Sequence, residues 1–304
     1  MSARMKQLVI LSGKGGTGKT SLAAAFAHLT TEDHQSISVV VVDADVDAAN
    51  LELLLAPRVI EREDFRGGQI AVIDQAVCDG CGDCVAVCRF DAIQQVDGFY
   101  KVDPIACDGC AACVYQCPVE AISMHDQVVG QWLRSDTRYG PLFHAALRPA
   151  QENSGKLVTM VKQRARLLAL DEGYDLVLVD GPPGIGCPVI SAASGADLAL
   201  IVAEPTAAGV HDMQRILHTT DHFGVRSLVC VNKADLYPEG TAEIEVYCQE
   251  HRIRLVGRIP YDITVTEAMV QGEPITGYQP RSPASQALRA IWANVLEELD
   301  EVPV

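Results

Sequence analysis

Leu8-Val9-Ile10-Leu11-Ser12-Gly13-Lys14-Gly15-Gly16-Thr17-Gly18-Lys19-Thr20 decides the fold of this chain of 304 residues. The four apolar residues read as a buried strand, and the alanine-rich Ser21–Leu29 reads as a helix. Between them, Gly13 through Thr20 fits G-x-x-x-x-G-K-[ST]. Glycines let backbone N–H groups close on phosphate oxygens. Lys19 neutralises β/γ charge, Thr20 offers a hydroxyl to Mg²⁺, and the helix points its positive end at the anion. Gly13, Lys14, Gly15, Gly16, Thr17, Gly18, Lys19, Thr20 and Ser21 are therefore the expected nucleotide-binding group.

Further apolar runs follow at Val39–Val42, Asp175–Val179, Leu198–Val202, Ser227–Val231 and Leu255–Ile259, with helical stretches between them. Strand–helix alternation with short turns predicts an α/β, doubly wound, mostly parallel sheet. Ligand loops then gather at the carboxyl ends of the strands. Asp43 and Asp180 each close such a run, as expected of carboxylates that hold Mg²⁺.

Lys14-Gly15-Gly16-Thr17-Gly18-Lys19-Thr20 resembles the deviant phosphate loop of the MinD, ParA and nitrogenase-iron-protein superfamily of ATPases. Asp43 through Leu51 resembles that family's switch I, and Asp180-Gly181-Pro182-Pro183-Gly184 its switch II. The resemblance implies a homodimer in which Lys14 reaches the partner's nucleotide. It also implies ATP as substrate, with Asp45 positioning the attacking water. Asn232-Lys233-Ala234-Asp235 and Pro260-Tyr261-Asp262 resemble loops near the base, which adds Asn232 and Pro260 to the nucleotide contacts. GTP stays open as an alternative.

A second pattern interrupts the first. Cys78, Cys81, Cys84 and Cys88 are repeated 29 residues later as Cys107, Cys110, Cys113 and Cys117. This spacing wraps two [4Fe–4S] clusters, the fourth cysteine of each run serving the other cluster. One set is then Cys78, Cys81, Cys84 and Cys117; the other is Cys107, Cys110, Cys113 and Cys88. Four-cysteine zinc sites also use C-x₂-C pairs, but two tandem runs, with Pro118 after the last, favour iron–sulfur. Residues 70–126 resemble bacterial two-cluster ferredoxins. Arg89 departs from the pattern, standing where proline usually follows the fourth cysteine, and its cation should raise the potential of a nearby cluster. The expected domains are residues 1–68 and 128–304 for a split phosphate-loop ATPase, around a ferredoxin-like insert at 69–127. Gly67-Gly68 marks the junction.

Three cysteines lie outside the repeat. Cys230 and Cys248 read as core thiols, and Cys187, seven residues after Asp180, as a packed thiol with a redox or bridging role as the alternative. The histidines show no paired ligand spacing and read as structural or surface groups.

Net charge of −16 argues against nucleic acid and anionic membranes as partners. Residues 70–127 hold nine acids against Arg89 and Lys101, which suits a basic redox partner. No signal precedes Lys6 and no apolar run approaches the roughly 20 residues of a membrane span, so a cytoplasmic, metal-bearing chain is expected. The tail Ala293–Val304 carries four acids and no base, unlike a membrane-seeking helix. The favoured function is an ATPase whose nucleotide state governs electron transfer through two clusters. A metallocofactor-assembly ATPase is the alternative, and a MinD-like positioning switch the lesser one. The partner this implies is a redox or metallocofactor-assembly protein.

Overall fold

The computed structural model describes residues 5–32, 37–148 and 154–302. Met1–Arg4 and the last two residues of the acidic tail lie outside the described residues. The chain divides into two compact units: Met1–Arg62, Trp132–Ala146 and Ser154–Val304 form one, Glu63–Gln131 and Leu147–Asn153 the other.

In the first unit, strand β1 (Lys6–Ser12) leads through the phosphate loop to α1 (Lys19–Glu32), β2 (Val39–Asp43) and the one-turn helix α2 (Glu52–Leu55). Strand β3 (Arg58–Ile73) carries the chain into the second unit, built from α3 (Asp83–Val87), β4 (Ile93–Val96), β5 (Phe99–Val102) and α4 (Ala112–Gln116). Strand β6 (Ile122–Thr137) brings it back to β7 (Gly140–Leu147), α5 (Ser154–Glu172), β8 (Leu176–Pro183) and α6 (Cys187–Ala193). Then follow β9 (Leu198–Ala203), α7 (Ala207–His222), β10 (Arg226–Asn232), α8 (Pro238–Glu250) and β11 (Arg254–Ile259). Helices α9 (Thr264–Gln271), α10 (Ile275–Tyr278) and α11 (Pro283–Glu301) close the chain.

The strand order is β11-β10-β9-β1-β8-β2-β7-β6-β3. From β11 to β7 every pairing is parallel. The central strands β1, β2, β8 and β9 are buried on both faces, which is why Val, Ile, Leu and Ala run on without alternation in the sequence. Helices α1 and α11 cover one face, with Phe26 and Trp292 packed ring on ring at 4.7 Å. Strand order reverses around β1, whose neighbours are β8 and β9. Open α/β sheets bind ligands at such a switch point, and the phosphate loop leaves β1 there.

The expected parallel sheet is present. Strands β3, β6 and β7 are additions to the expected sheet; β3 and β6 are largely polar or exposed, whereas β7 carries an apolar run, Leu142-Phe143 and Ala145-Ala146, interrupted only by His144. Gly67 and Gly68 lie inside β3 rather than at a break: a Cβ on Gly67 would stand 2.5 Å from Val129 and 2.7 Å from Phe65, so glycine there admits close side-chain packing. No helix among the described residues is long and apolar enough to cross a membrane.

Candidate functional site: a phosphate loop and a cysteine repeat

The loop between β1 and α1 is held open by its own glycines. Gly16 and Gly18 take φ of +76° and +93°, a region that side chains resist. Gly13 has no room for more than hydrogen, since a Cβ would fall 2.0 Å from that of Asp212. Lys19 is buried and its Nζ donates to Ser12 Oγ at 2.7 Å, while Ser12 Oγ donates to the Lys14 carbonyl at 2.8 Å. Burial pushes the Lys19 pKa down, and Asp180, Asp45 and Asp43 pull it back up. The buried Thr17 Oγ1 has no partner among the described residues. Gly18→Ala would set a methyl 2.4 Å from Asn232 Nδ2 on a backbone that already disfavours it. Nucleotide affinity is expected to fall by at least about tenfold, from strain of about 1–3 kcal/mol. Titration with a fluorescent ATP analogue reads it.

Parallel pairing places Asp43 of β2 beside Asp180 of β8, and Asp180 beside Ile10 of β1. Both acids are buried, but they are used differently. Asp43 spends its oxygens on backbone: Oδ1 accepts from Asp45 N at 3.1 Å and Oδ2 from Leu51 N at 3.0 Å. It thereby shapes the loop that resembles switch I. Both oxygens of Asp180 are buried without a hydrogen bond among the described residues. The Thr20 hydroxyl lies near enough to favour its charged form but makes no well-aligned bond to either oxygen. Burial raises the Asp180 pKa to about 7, with Asp45 adding to it and Thr20 and Lys19 opposing. Burial raises Asp43 too, together with the Asp180 charge. Asp45, half-buried, is raised by burial and lowered by Lys19. A buried carboxylate with two orphan oxygens beside a threonine hydroxyl fits Mg²⁺, whose first ligands from this chain would be Asp180 and Thr20.

The rim contains a group that sequence reasoning missed. Glu204, just past β9, holds Lys14 at 2.7 Å and Lys233 at 2.6 Å. Burial works to raise its pKa, but the two ammonium groups overcome burial and hold it below the ordinary value. Its signal was an acid directly after an apolar run, the same rule that found Asp43 and Asp180. Lys233 Nζ also donates to the Gly16 carbonyl at 3.3 Å, and Asn232 Nδ2 to that of Thr17 at 2.7 Å. Asn232 thus braces the phosphate loop. Pro260 follows Ile259, whose carbonyl accepts from Ala234 N, and precedes Tyr261, whose N–H donates to Asp235 Oδ1 at 2.6 Å. The two loops assigned to the base are therefore joined. Ser21 points to Met269, Oγ to Sδ 3.5 Å.

In the second unit the 29-residue repeat is written into the backbone. Gly80 and Gly109, Gly82 and Ala111, and Asp91 and Glu120 all have positive φ at matching places. Helices α3 and α4 stop at Cys88 and Cys117, each with extended backbone. Cys84 and Cys113 lie in a small core with Ala71, Ile73, Ile93 and Ile122. Burial raises the Cys84 pKa, and Cys81 and Cys78 add to it. Burial raises Cys113 as well, with Cys107 and Cys110 adding. Cys84 and Cys113 each thus lie close to the other two thiols of their own run. Cys88, Cys107, Cys110 and Cys113 line one cavity, together with Phe90, Ile93 and Val102. Cys117 Sγ accepts from Ala121 N at 3.3 Å. No three His, Cys, Asp or Glu side chains among the described residues converge on a point suited to a single metal ion.

Outside the unit, Cys230 and Cys248 are buried, their thiols pushed up by burial to about 12 and about 11. Cys187 opens α6 and is exposed, so it is not a packed thiol.

Strand, glycine loop, helix, buried lysine and strand-end aspartate define a nucleotide-binding phosphate-loop fold. The family model for the CobQ/CobB/MinD/ParA nucleotide binding domain matches residues 8–275, and the chain belongs to that family. An uncharacterised protein of Methanocaldococcus jannaschii is 32% identical over 96% of this chain and 96% of its own length. The septum site-determining protein MinD of Bacillus subtilis is 28% identical over 96% of this chain and 89% of its own. Among solved structures, the cell division ATPase MinD of Pyrococcus furiosus superposes with a TM-score of 0.59 at 18% identity, covering 97% of this chain and all of that one. The chain is an ATP-binding nucleotide switch of the MinD/ParA kind.

Proposed function

We propose that this nucleotide switch hydrolyses ATP as a homodimer and that its nucleotide state governs electron transfer through two [4Fe–4S] clusters held by the cysteine repeat. One observation supports the cluster part above others. The cavity of the second unit gathers Cys88 with Cys107, Cys110 and Cys113, the crossed set that the spacing rule names. When bound, such clusters carry one electron each and make no bonds themselves.

The chain's own residues do the phosphate chemistry. Lys19 and the loop N–H groups neutralise β/γ charge, and Thr20 and Asp180 would hold Mg²⁺, which would supply further positive charge to the phosphates. Asp45, half-buried near Lys19, orients water for in-line attack. The Lys14 side chain is 40% exposed and pairs with Glu204 across the rim. It can leave that carboxylate for the nucleotide of a second copy, whose developing charge it would stabilise.

Kinship with septum site-determining proteins favours a second reading, a switch that positions other molecules. Anaerobic purification followed by iron and sulfide analysis separates the two. The proposed function expects about eight iron atoms per chain. An EPR redox titration with ADP and then with a non-hydrolysable ATP analogue should give different cluster potentials or accessibilities. Iron-free protein with full nucleotide-dependent behaviour favours the positioning switch. Release of cluster iron to an acceptor during turnover would instead point to cofactor assembly.

A further inference from the structure

Strand β7 carries a buried polar group that nucleotide binding does not use. His144 is 3% exposed, and its ring lies between two side chains distant in sequence. Its Nε2 is 2.9 Å from Oγ of Ser135 in β6, and its Nδ1 is 3.4 Å from Oε2 of Glu52, the first residue of α2. Burial pushes the ring's pKa down; Glu52 opposes this and Arg62 reinforces it. A neutral imidazole has one donor and one acceptor. The carboxylate can only accept, so Nδ1–H faces Glu52 and Nε2 accepts from the Ser135 hydroxyl. The arrangement resembles a hydrolytic triad, but Ser135 is fully buried and no substrate can reach it.

Its place in the fold supplies another role. Leu51, which donates to Asp43 Oδ2, is followed directly by Glu52. The Asp43–Leu51 loop therefore ends where the His144 contact begins. Strand β7 is the parallel neighbour of β2, with Val42 opposite Phe143, so His144 follows the last paired residue beside Asp43. Helix α2 leads within three residues into β3, and Ser135 lies near the end of β6. Those are the strands by which the chain leaves for the cysteine unit and returns from it.

We propose that His144 is a positioning residue that ties the Asp43–Leu51 loop to β6 and β3, passing nucleotide-driven movement of the loop to the strands that carry the cysteine unit. The Ser135–His144–Glu52 chain fixes α2 in one orientation with respect to β6. A shift of the loop must either carry the chain along or break it, and a buried broken link is unfavourable. The proposal rests on the reading that the Asp43–Leu51 loop responds to nucleotide.

The test is hydrogen exchange on the full chain with Mg²⁺-ADP and with a non-hydrolysable ATP analogue. Wild-type protein should show a nucleotide-dependent change in the Asp43–Leu51 loop and a second one in β6. His144→Phe should keep nucleotide affinity and the loop change but lose the change in β6. His144→Gln, which can still donate and accept, should restore it in part. Ser135→Ala leaves the ring in place and guards against misfolding of the phenylalanine variant; it should also lose the β6 change. A β6 change that survives both His144→Phe and Ser135→Ala overturns the proposal. A wild-type loop that ignores nucleotide overturns the switch reading on which it rests, and the proposal with it.

Discussion

Lys19→Ala is expected to weaken ATP binding by about 3–6 kcal/mol, on the order of 10²–10⁴-fold, because it removes two charge-assisted hydrogen bonds to phosphate worth about 1.5–3 kcal/mol each. The loss goes beyond the ligand. Asp180 and Asp45 both lose the cation that favours their charged forms. The sign of the pH effect follows from Asp180. Its pKa is raised from 3.8 to about 7, so on the acid side of that value it is protonated and must release a proton before Mg²⁺ binds. Mg²⁺ affinity of the wild type should therefore rise about tenfold between about pH 6 and about pH 8, then level off. In Lys19→Ala the whole curve should move to higher pH. Calorimetric titration of Mg²⁺ and ATP across that range reads both effects. A flat Mg²⁺ profile in the wild type would mean that Asp180 is not the ligand.

Sequence made the central machinery legible because its chemistry is local. A phosphate loop needs glycines and a lysine within a few residues, and Asp43 and Asp180 each end an apolar run. The cysteine repeat was equally plain, and positive φ recurs at matching places in its two halves. The missing elements depend on partners distant in the chain. Strand β3 is mostly exposed and reads Glu61-Arg62-Glu63-Asp64 in its first half, so no hydrophobic period betrays it. Its pairing is a tertiary fact. Glu204 could have been found by the strand-end rule, but its role needs Lys14 and Lys233 in space. Asp43 shows the reverse case. Its position was legible as a metal ligand's, while the structure spends both oxygens on the N–H groups of Asp45 and Leu51. His144 was read as structural because its contacts, Ser135 and Glu52, lie 9 and 92 residues away.

Cys88→Ser is expected to cost the chain the same cluster as Cys110→Ser, although Cys88 belongs to the first run of the repeat. The reason is geometric. Helix α3 ends at Cys88, and the extended backbone there places its thiol on the cavity that Cys107, Cys110 and Cys113 also line. Iron should fall from about eight to about four atoms per chain in either variant, and the magnetic coupling between two reduced clusters should vanish from the EPR spectrum. Cys81→Ser and Cys117→Ser should form the complementary pair, removing the other cluster. The consequence for stability is as large. The core of this unit holds only a handful of buried apolar side chains, two of its members being the thiols of Cys84 and Cys113. A bound cluster would supply the stability that so small a core lacks. Chelation of iron should therefore abolish hydrogen-exchange protection across residues 69–127 while leaving the phosphate loop and its nucleotide affinity intact. If Cys88→Ser instead paired with Cys81→Ser in its spectra, the crossed assignment would be wrong. If zinc were recovered in place of iron and sulfide, electron transfer would leave the proposed function.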